Sequence, residues 1–250
     1  MDPIGFPPSE VELSLVMPAH NEAAVISEVV AGALAVLRGM VGDRFELIVI
    51  DDASTDGTEL VLDGIAAVER SVKVVHLASN VGHGPALRAG WNIATGAWVA
   101  HLDSDDEIPA HELAVLWDTR GDADLVLGVR TARQSPPSRR AVTWTLRQVA
   151  GVAARRRLAD ANTPCKIVRS AALGAALASM PPSAFAPSVL LAVHVARSGG
   201  IIREVPVATR LRSSGRSWLV PTRLASGAAH SFYDTVMAGV QRRADGRRVR

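Results

Sequence analysis

Phe45-Glu-Leu-Ile-Val-Ile-Asp-Asp-Ala-Ser-Thr-Asp-Gly-Thr58 passes from a mostly apolar, β-branched run into two carboxylates and then into a helical pattern. The apolar run reads as a strand broken at Asp51, and the helix is expected from Thr58 to Ala67. The same unit recurs on both sides. Leu13-Ser-Leu-Val-Met17 is a strand stopped by Pro18, with Asn21 placed to cap a helix over 22–37. Val72–Leu77 is a third strand, followed by the Gly-rich turn Asn80–Gly84 and a helix over Pro85–Thr95. Trp98–Leu102 is a fourth strand ending in the acidic run Asp103–Glu107, Leu113–Trp117 reads as helix, and Ala123–Val129 as a fifth strand.

Strands of nearly continuous apolar character alternating with helices indicate an α/β fold, with a mostly parallel sheet covered on both faces. In such sheets ligands bind beyond the carboxyl ends of the strands. Four polar clusters sit at those ends: His20-Asn21-Glu22, Asp51-Asp52, Asn80–Gly84 and Asp103–Glu107. Their convergence on one crevice is the purely physical argument for a nucleotide site.

The second half is less regular. Arg133–Arg140 is a polar, Pro-containing loop, and Ala141–Leu158 has the pattern of a basic amphipathic helix with Val142, Leu146, Val149 and Val152 apolar. Ala184–Ser198 is expected to be a helix and Ile201–Val207 a strand, while residues from about Pro221 onward read as a helix with an Arg-rich end. No internal repeat or linker stands out, so the chain divides into one domain over 1–220 and an extension over 221–250.

A chain of 250 residues with 48% apolar and 21% charged residues has the composition of a folded domain. Its net charge of +2 gives no reason to expect a nucleic-acid partner. Most acids precede Asp124 while arginines crowd the second half, which suggests a half that holds a cation and a half that meets an anionic acceptor or membrane surface. The single cysteine, Cys165, excludes an internal disulfide and a Cys-based zinc site and fits a reducing compartment. The first twelve residues lack the apolar core of a signal peptide, and no apolar run has spanning length. The expectation is a cytoplasmic protein, soluble or peripheral on the inner face of the membrane.

Asp103 and Asp105 lie two positions apart just past a strand, and such close carboxylates repel unless a cation joins them. Oxygen donors of this kind suit Mg²⁺ or Mn²⁺, which would also bridge a diphosphate. Asp51 and Asp52 could accept from a base or ribose, whereas Asp56-Gly57 fits a local turn.

In this order the motifs resemble family 2 glycosyltransferases of the GT-A fold, most closely the polyprenyl- or dolichyl-phosphate sugar synthases. Leu15–Glu22 resembles the opening strand with its Pro-x-Tyr-Asn-Glu, Ile48–Thr58 the base-binding segment, Asn80–Gly90 the next loop and His101–Glu107 the metal motif. Gly128-Val-Arg130 is similar to a Gly-Ser-Arg, Asp160–Lys166 to an Asp…Cys-Gly-Phe-Lys segment, and Glu204–Val207 with Arg212–Ser217 to the closing Glu-Val-Pro and Arg-x-x-Gly-x-Ser-Lys. The resemblance implies an inverting transferase that takes a GDP- or UDP-linked sugar. Pro18, Ala19, His20, Glu22, Asp51, Asp52, His83, Asp103 and Ser104 would bind the nucleotide sugar. Asp105 and Glu107 would hold Mg²⁺ or Mn²⁺. Arg130 and Arg212 would join Asp103 and Asp105 in catalysis, and Arg130, Asp160, Lys166 and Ser217 would meet the acceptor, a polyprenyl phosphate.

His20 stands where Tyr is usual, His83 where Lys is frequent, Leu190 where an acid is expected, and Trp218 where the motif's last Lys would be. Cys165-Lys166 lacks the Gly-Phe. These departures touch the acceptor side most and leave open a soluble acceptor such as a glycan, nucleoside or secondary metabolite. A noncatalytic nucleotide-binding scaffold is the reading from a different class.

Overall fold

A computed structural model describes residues 11–131, 148 and 150–210 of the chain. The five expected strands form as β1 (Leu13–Ala19), β2 (Phe45–Asp51), β3 (Val72–His76), β4 (Trp98–His101) and β5 (Leu125–Arg130). Between them lie α1 (Ile26–Val41), α2 (Thr58–Val68), α3 (His83–Ile93) and α4 (Glu112–Thr119). Then follow β6 (Lys166–Arg169), α5 (Ser170–Ala178), α6 (Pro187–Arg197) and β7 (Ile202–Val207). The seven strands are ordered β3-β2-β1-β4-β6-β5-β7. All pairings are parallel except those of β6, which runs against both β4 and β5.

Alternation along each strand sends side chains to two cores. Leu15, Leu47, Ala100 and Ile167 pack under α1, α2 and α4, and Val16, Ile48, Val99 and Val168 pack under α3, α5 and α6. Helix α3 is seated tightly against the sheet at Gly90 and against the segment before α6 at Gly84. A Cβ at Gly90 would stand 2.3 Å from Cγ1 of Val16, and one at Gly84 would stand 2.4 Å from the carbonyl oxygen of Phe185. Only glycine permits that approach.

At the amino end of the parallel strands a polar knot is closed on itself. Glu46, 2% exposed, accepts from Ser14 Oγ at 2.6 Å, Thr95 N at 2.7 Å, Thr95 Oγ1 at 2.8 Å and Lys73 Nζ at 2.6 Å. Burial opposes its ionisation, but these four donors outweigh burial and hold its carboxyl below the usual range.

Three expectations are corrected. Helix α1 starts at Ile26 with Val25 at its N-cap, so Asn21 caps nothing; at φ 53° it accepts from Thr55 N and donates its own N–H to Ser54. The stretch expected as one helix to Leu158 is helical over 150–154 and leaves it at Arg155, with φ 56°. Its Ala150, Ala154 and Leu158 face inward while Val152, assigned to the apolar face, is 81% exposed. The rest of that helix, the 133–140 loop, Arg212, Ser217, Trp218 and the 221–250 extension lie outside the described residues.

Candidate active site

The carboxyl ends of β1, β2 and β4 are tied together by hydrogen bonds. Asp52, just past β2, accepts from the backbone N–H groups of Val81 and Gly82 at 2.7 and 2.8 Å and so fixes the turn that opens α3. His20 donates Nδ1–H to the Asp52 carbonyl at 2.6 Å and accepts at Nε2 from the Asn21 carboxamide at 2.9 Å. Asn80 reaches the same carbonyl at 3.4 Å. Ser104 donates to the Pro18 carbonyl at 2.8 Å, joining the acidic run to the end of β1. Glu22 enters by its backbone, donating N–H to Thr58 Oγ1 at 2.8 Å.

The first residue of α3, His83, meets Asp103: Nε2 lies 2.9 Å from Oδ1, and Nε2 of His101 lies 3.0 Å from the same oxygen. Burial opposes the charge on Asp103, but the two imidazoles hold it well below the usual carboxylate range. Burial likewise works against protonation of His83, and the charge of Asp103 outweighs it, so His83 titrates above its ordinary value. His101 is different. It is 1% exposed, and burial drives its pKa down to about 4 despite Asp103, so it is a neutral ring donating from Nε2.

Among the described residues, His83, His101 and Asp103 bring ligand atoms within 4.8 Å of one another, and Asp51, Glu59 and His76 form a second such group. Asp105 is nearly buried and accepts at Oδ1 from the N–H of Glu107 at 2.9 Å. Asp51 turns away from α3: it accepts from Ser54 N at 3.1 Å and from His76 Nδ1 at 2.8 Å, under α2. Asp56 makes the local turn, accepting from Thr58 N at 3.1 Å.

Arg130, at the end of β5, forms a two-pronged pair with Asp160, Nε at 2.7 Å and Nη2 at 3.0 Å, and its Nη1 lies 3.8 Å from Glu107. Burial disfavours its charge, but Asp160 outweighs burial and keeps the guanidinium ionised. Arg210 binds Asp106 at 3.0 Å from the other side. Lys166 opens β6. Because that strand is antiparallel, its first residue stands at the edge where the parallel strands end. Nζ is buried with no hydrogen-bond partner among the described residues. Burial pushes its pKa down to about 7, against the pull of Asp160 and Asp103. Cys165 is buried and its thiol titrates far above the ordinary range, which leaves it inert.

The structure thus brings Pro18, His20, Asp52, His83, Asp103 and Ser104 into one network, and Glu107, Arg130 and Asp160 into an adjoining one. Asp51 is not in either. Sequence reasoning passed over His101 because it sat inside an apolar strand. An imidazole two residues before Asp103, and so on the same face, was the available signal.

Residues 14–173 match the model of glycosyl transferase family 2. The chain belongs to that family. The family 2 chain is 30% identical over 218 residues to an undecaprenyl-phosphate 4-deoxy-4-formamido-L-arabinose transferase of Pseudomonas fluorescens, covering 85% of this chain and 61% of that one. It is 35% identical over 127 residues to an uncharacterized glycosyltransferase of Synechocystis sp., covering 50% and 39%. It spans between 39% and 62% of the length of the first five curated relatives.

Solved structures share the fold. Glucosyl-3-phosphoglycerate synthase from Mycobacterium tuberculosis, with Mn²⁺, UDP and phosphoglyceric acid, superposes with a TM-score of 0.67 at 20% identity over 92% of this chain and 78% of that one. A mannosyltransferase from Pyrobaculum calidifontis, with GDP-Man and Mn²⁺, gives 0.58 at 18% identity over 97% and 82%. The mixed seven-stranded sheet flanked by helices is the GT-A fold.

Proposed function

We propose that this family 2 chain moves a sugar from a GDP- or UDP-linked donor to a polyprenyl phosphate, with inversion at the anomeric carbon. The observation that carries the reading is the single hydrogen-bonded crevice at the strand ends. There Asp52 pins the turn before α3, and His83 of that helix meets Asp103 of the acidic run. The P. fluorescens relative is named for an undecaprenyl-phosphate acceptor, and the two structural neighbours hold UDP or GDP-Man with Mn²⁺.

The family resemblance implies that Asp105 and Glu107 would hold a divalent cation, and their oxygens suit Mg²⁺ or Mn²⁺. The ligand atoms that lie within 4.8 Å of one another at this end of the sheet are those of His83, His101 and Asp103, so Asp103 is the carboxylate the geometry supports. When bound, the cation neutralises charge on the departing diphosphate. Pro18, Ala19 and the Asp52-pinned turn would frame the nucleoside, and His83, whose pKa Asp103 raises, would face the diphosphate. Arg130, held straight by Asp160, would orient the acceptor. A phosphate monoester loses its second proton at about pH 6, so its oxygen attacks the anomeric carbon unaided as the bond to the diphosphate breaks. Positioning and fixed charge then supply the rate, with no base required.

Calorimetry with UDP and GDP, with and without Mn²⁺, tests the donor half: cation-dependent binding is expected, and its absence with both nucleotides sinks the reading. Transfer to undecaprenyl phosphate in vesicles tests the acceptor. One observation favours a soluble acceptor instead: Arg130 already spends its fork on Asp160, which leaves less of it to clasp a phosphate. Donor turnover with a soluble glycan but not with the lipid would select that reading, and binding without any turnover would select the scaffold. No helix among the described residues is long and apolar enough to cross a membrane.

A further inference from the structure

The turns that follow β1 and β2 each carry a residue other than glycine in the left-handed region, Asn21 at φ 53° and Ala53 at φ 54°. Asparagine takes that conformation with little strain, whereas the Cβ of alanine crowds the following carbonyl oxygen. The two turns are laced together. Asn21 N–H donates to Ser54 Oγ at 2.9 Å, and Thr55 N–H donates to Asn21 Oδ1 at 2.8 Å. Ala53 thus stands strained between Ser54 and Asp52, whose carboxylate fixes the turn before α3. Strain of this kind persists only where the surroundings over-determine it.

The restraint on Ala53 comes from the α2 face of the sheet. Asp51, 1% exposed, closes the turn by accepting at Oδ1 from Ser54 N–H at 3.1 Å, and its Oδ2 accepts from His76 Nδ1 at 2.8 Å. His76 is the register partner of Asp51 across β2 and β3, so the two side chains project to one face. With one oxygen committed to His76, the carboxylate presents the other to Ser54. The Nδ1–H bond is open to the neutral imidazole and to the imidazolium alike. On the far side of the ring Nε2 lies 3.1 Å from Asp63 of α2, an exposed contact. His76 itself stays on that face, away from the turn before α3.

We propose that His76 is a positioning residue for the nucleoside: through Asp51 it holds Ala53 in its left-handed turn, and so sets where Asp52 and the loop after it stand. This rests on the nucleotide-sugar reading above. It gives Asp51 a part in that reading from behind the crevice. The strained alanine is the coupling element, because a glycine at the same φ needs no such restraint.

A double-mutant cycle on the full chain tests it, with UDP and GDP titrated by calorimetry in Mn²⁺. His76→Ala should weaken binding of the preferred nucleotide by about 10-fold, the order of the strain that Ala53 carries. In the Ala53→Gly background the same substitution should weaken it by less than about threefold, since glycine holds the turn unaided. His76→Asn, which returns an N–H donor near the Nδ1 position, should restore affinity to within about threefold. Asp63→Ala, which removes the other contact of the ring, should leave affinity within about twofold. His76→Leu fills the space of the ring without a donor and carries the comparison if the alanine variant does not fold. Unchanged affinity on loss of His76, an equal loss in both backgrounds, no recovery with asparagine, or an equal loss in Asp63→Ala overturns the proposal. Failure of both nucleotides to bind the unaltered chain removes the nucleotide-sugar reading itself, a result that needs no variant to detect.

Discussion

Glu46 and Lys166 are both ionisable residues buried within the same sheet, one at each end, and their surroundings are opposite. Glu46 is met by four donors from Ser14, Lys73 and Thr95. Lys166 is met by none among the described residues. A satisfied buried charge locks the strands that surround it, whereas an unsatisfied one costs stability and persists where something else requires it. The contrast marks the amino end of the sheet as structural and agrees with the proposed site at its carboxyl end, and it rests on hydrogen bonds rather than on family membership.

The sharpest way to break that contrast is at the acidic run. Asp105→Ala should lower donor turnover by about 10²–10³-fold, since an electrostatic contact to developing charge is lost. The thermal-melting midpoint should fall by only about 2–4 °C, the order of cost of losing the hydrogen bond that Asp105 accepts from the Glu107 N–H. A large fall in melting temperature with turnover intact would make Asp105 structural. At the other end Glu46→Ala should cost about 3 kcal/mol, roughly 6–12 °C in a chain of this size, while nucleotide affinity stays unchanged.

Lys166 predicts the opposite sign. Its pKa is about 7 when folded and near 10.5 when unfolded. Between those values the unfolded chain binds the proton that the folded chain lacks, so stability rises with pH from about 7 to about 10.5. Below pH 7 the cost of burying the charged amine is fully present. Denaturant titrations across that range should show the slope in the unaltered chain and its loss in Lys166→Met, which should also be the more stable at pH 6. Asp160, Asp103, Arg130, Cys165, His83 and His101 are the charged and titratable groups acting with or near it, and they are common to both proteins. The smallest effect belongs to Asp52→Asn, about 1 kcal/mol by denaturation, because the amide still accepts from one of the two N–H groups that hold the turn before α3.

The parallel part of the fold was legible because its strands are long, apolar and each followed by a polar stop. Strand β6 was not. Lys166-Ile-Val-Arg169 has two apolar residues between two cations, and nothing in a sequence marks a strand as running backwards. Helix α5 escaped notice because Ser-Ala-Ala-Leu-Gly-Ala-Ala-Leu-Ala is small and apolar all round and shows no periodic face. In the site, acids placed after apolar strands were readable as a cluster, and the ties through Asp52, His83, Asp103 and Ser104 join the expected segments. Their partners were less so. Asp52 is answered by backbone N–H groups, which carry no residue signature, and Asp51 next to it points to the opposite face because successive strand residues alternate.

The close seat of α3 has a reach beyond its own contacts. Gly90 lies seven residues after His83, about 10 Å along the helix axis, and touches Val16 in the middle of β1. The helix is a lever with its pivot at that glycine and its working end on Asp103. A single methyl group added at the pivot would tilt the arm and displace the imidazole at its tip, altering the crevice without replacing any residue in it.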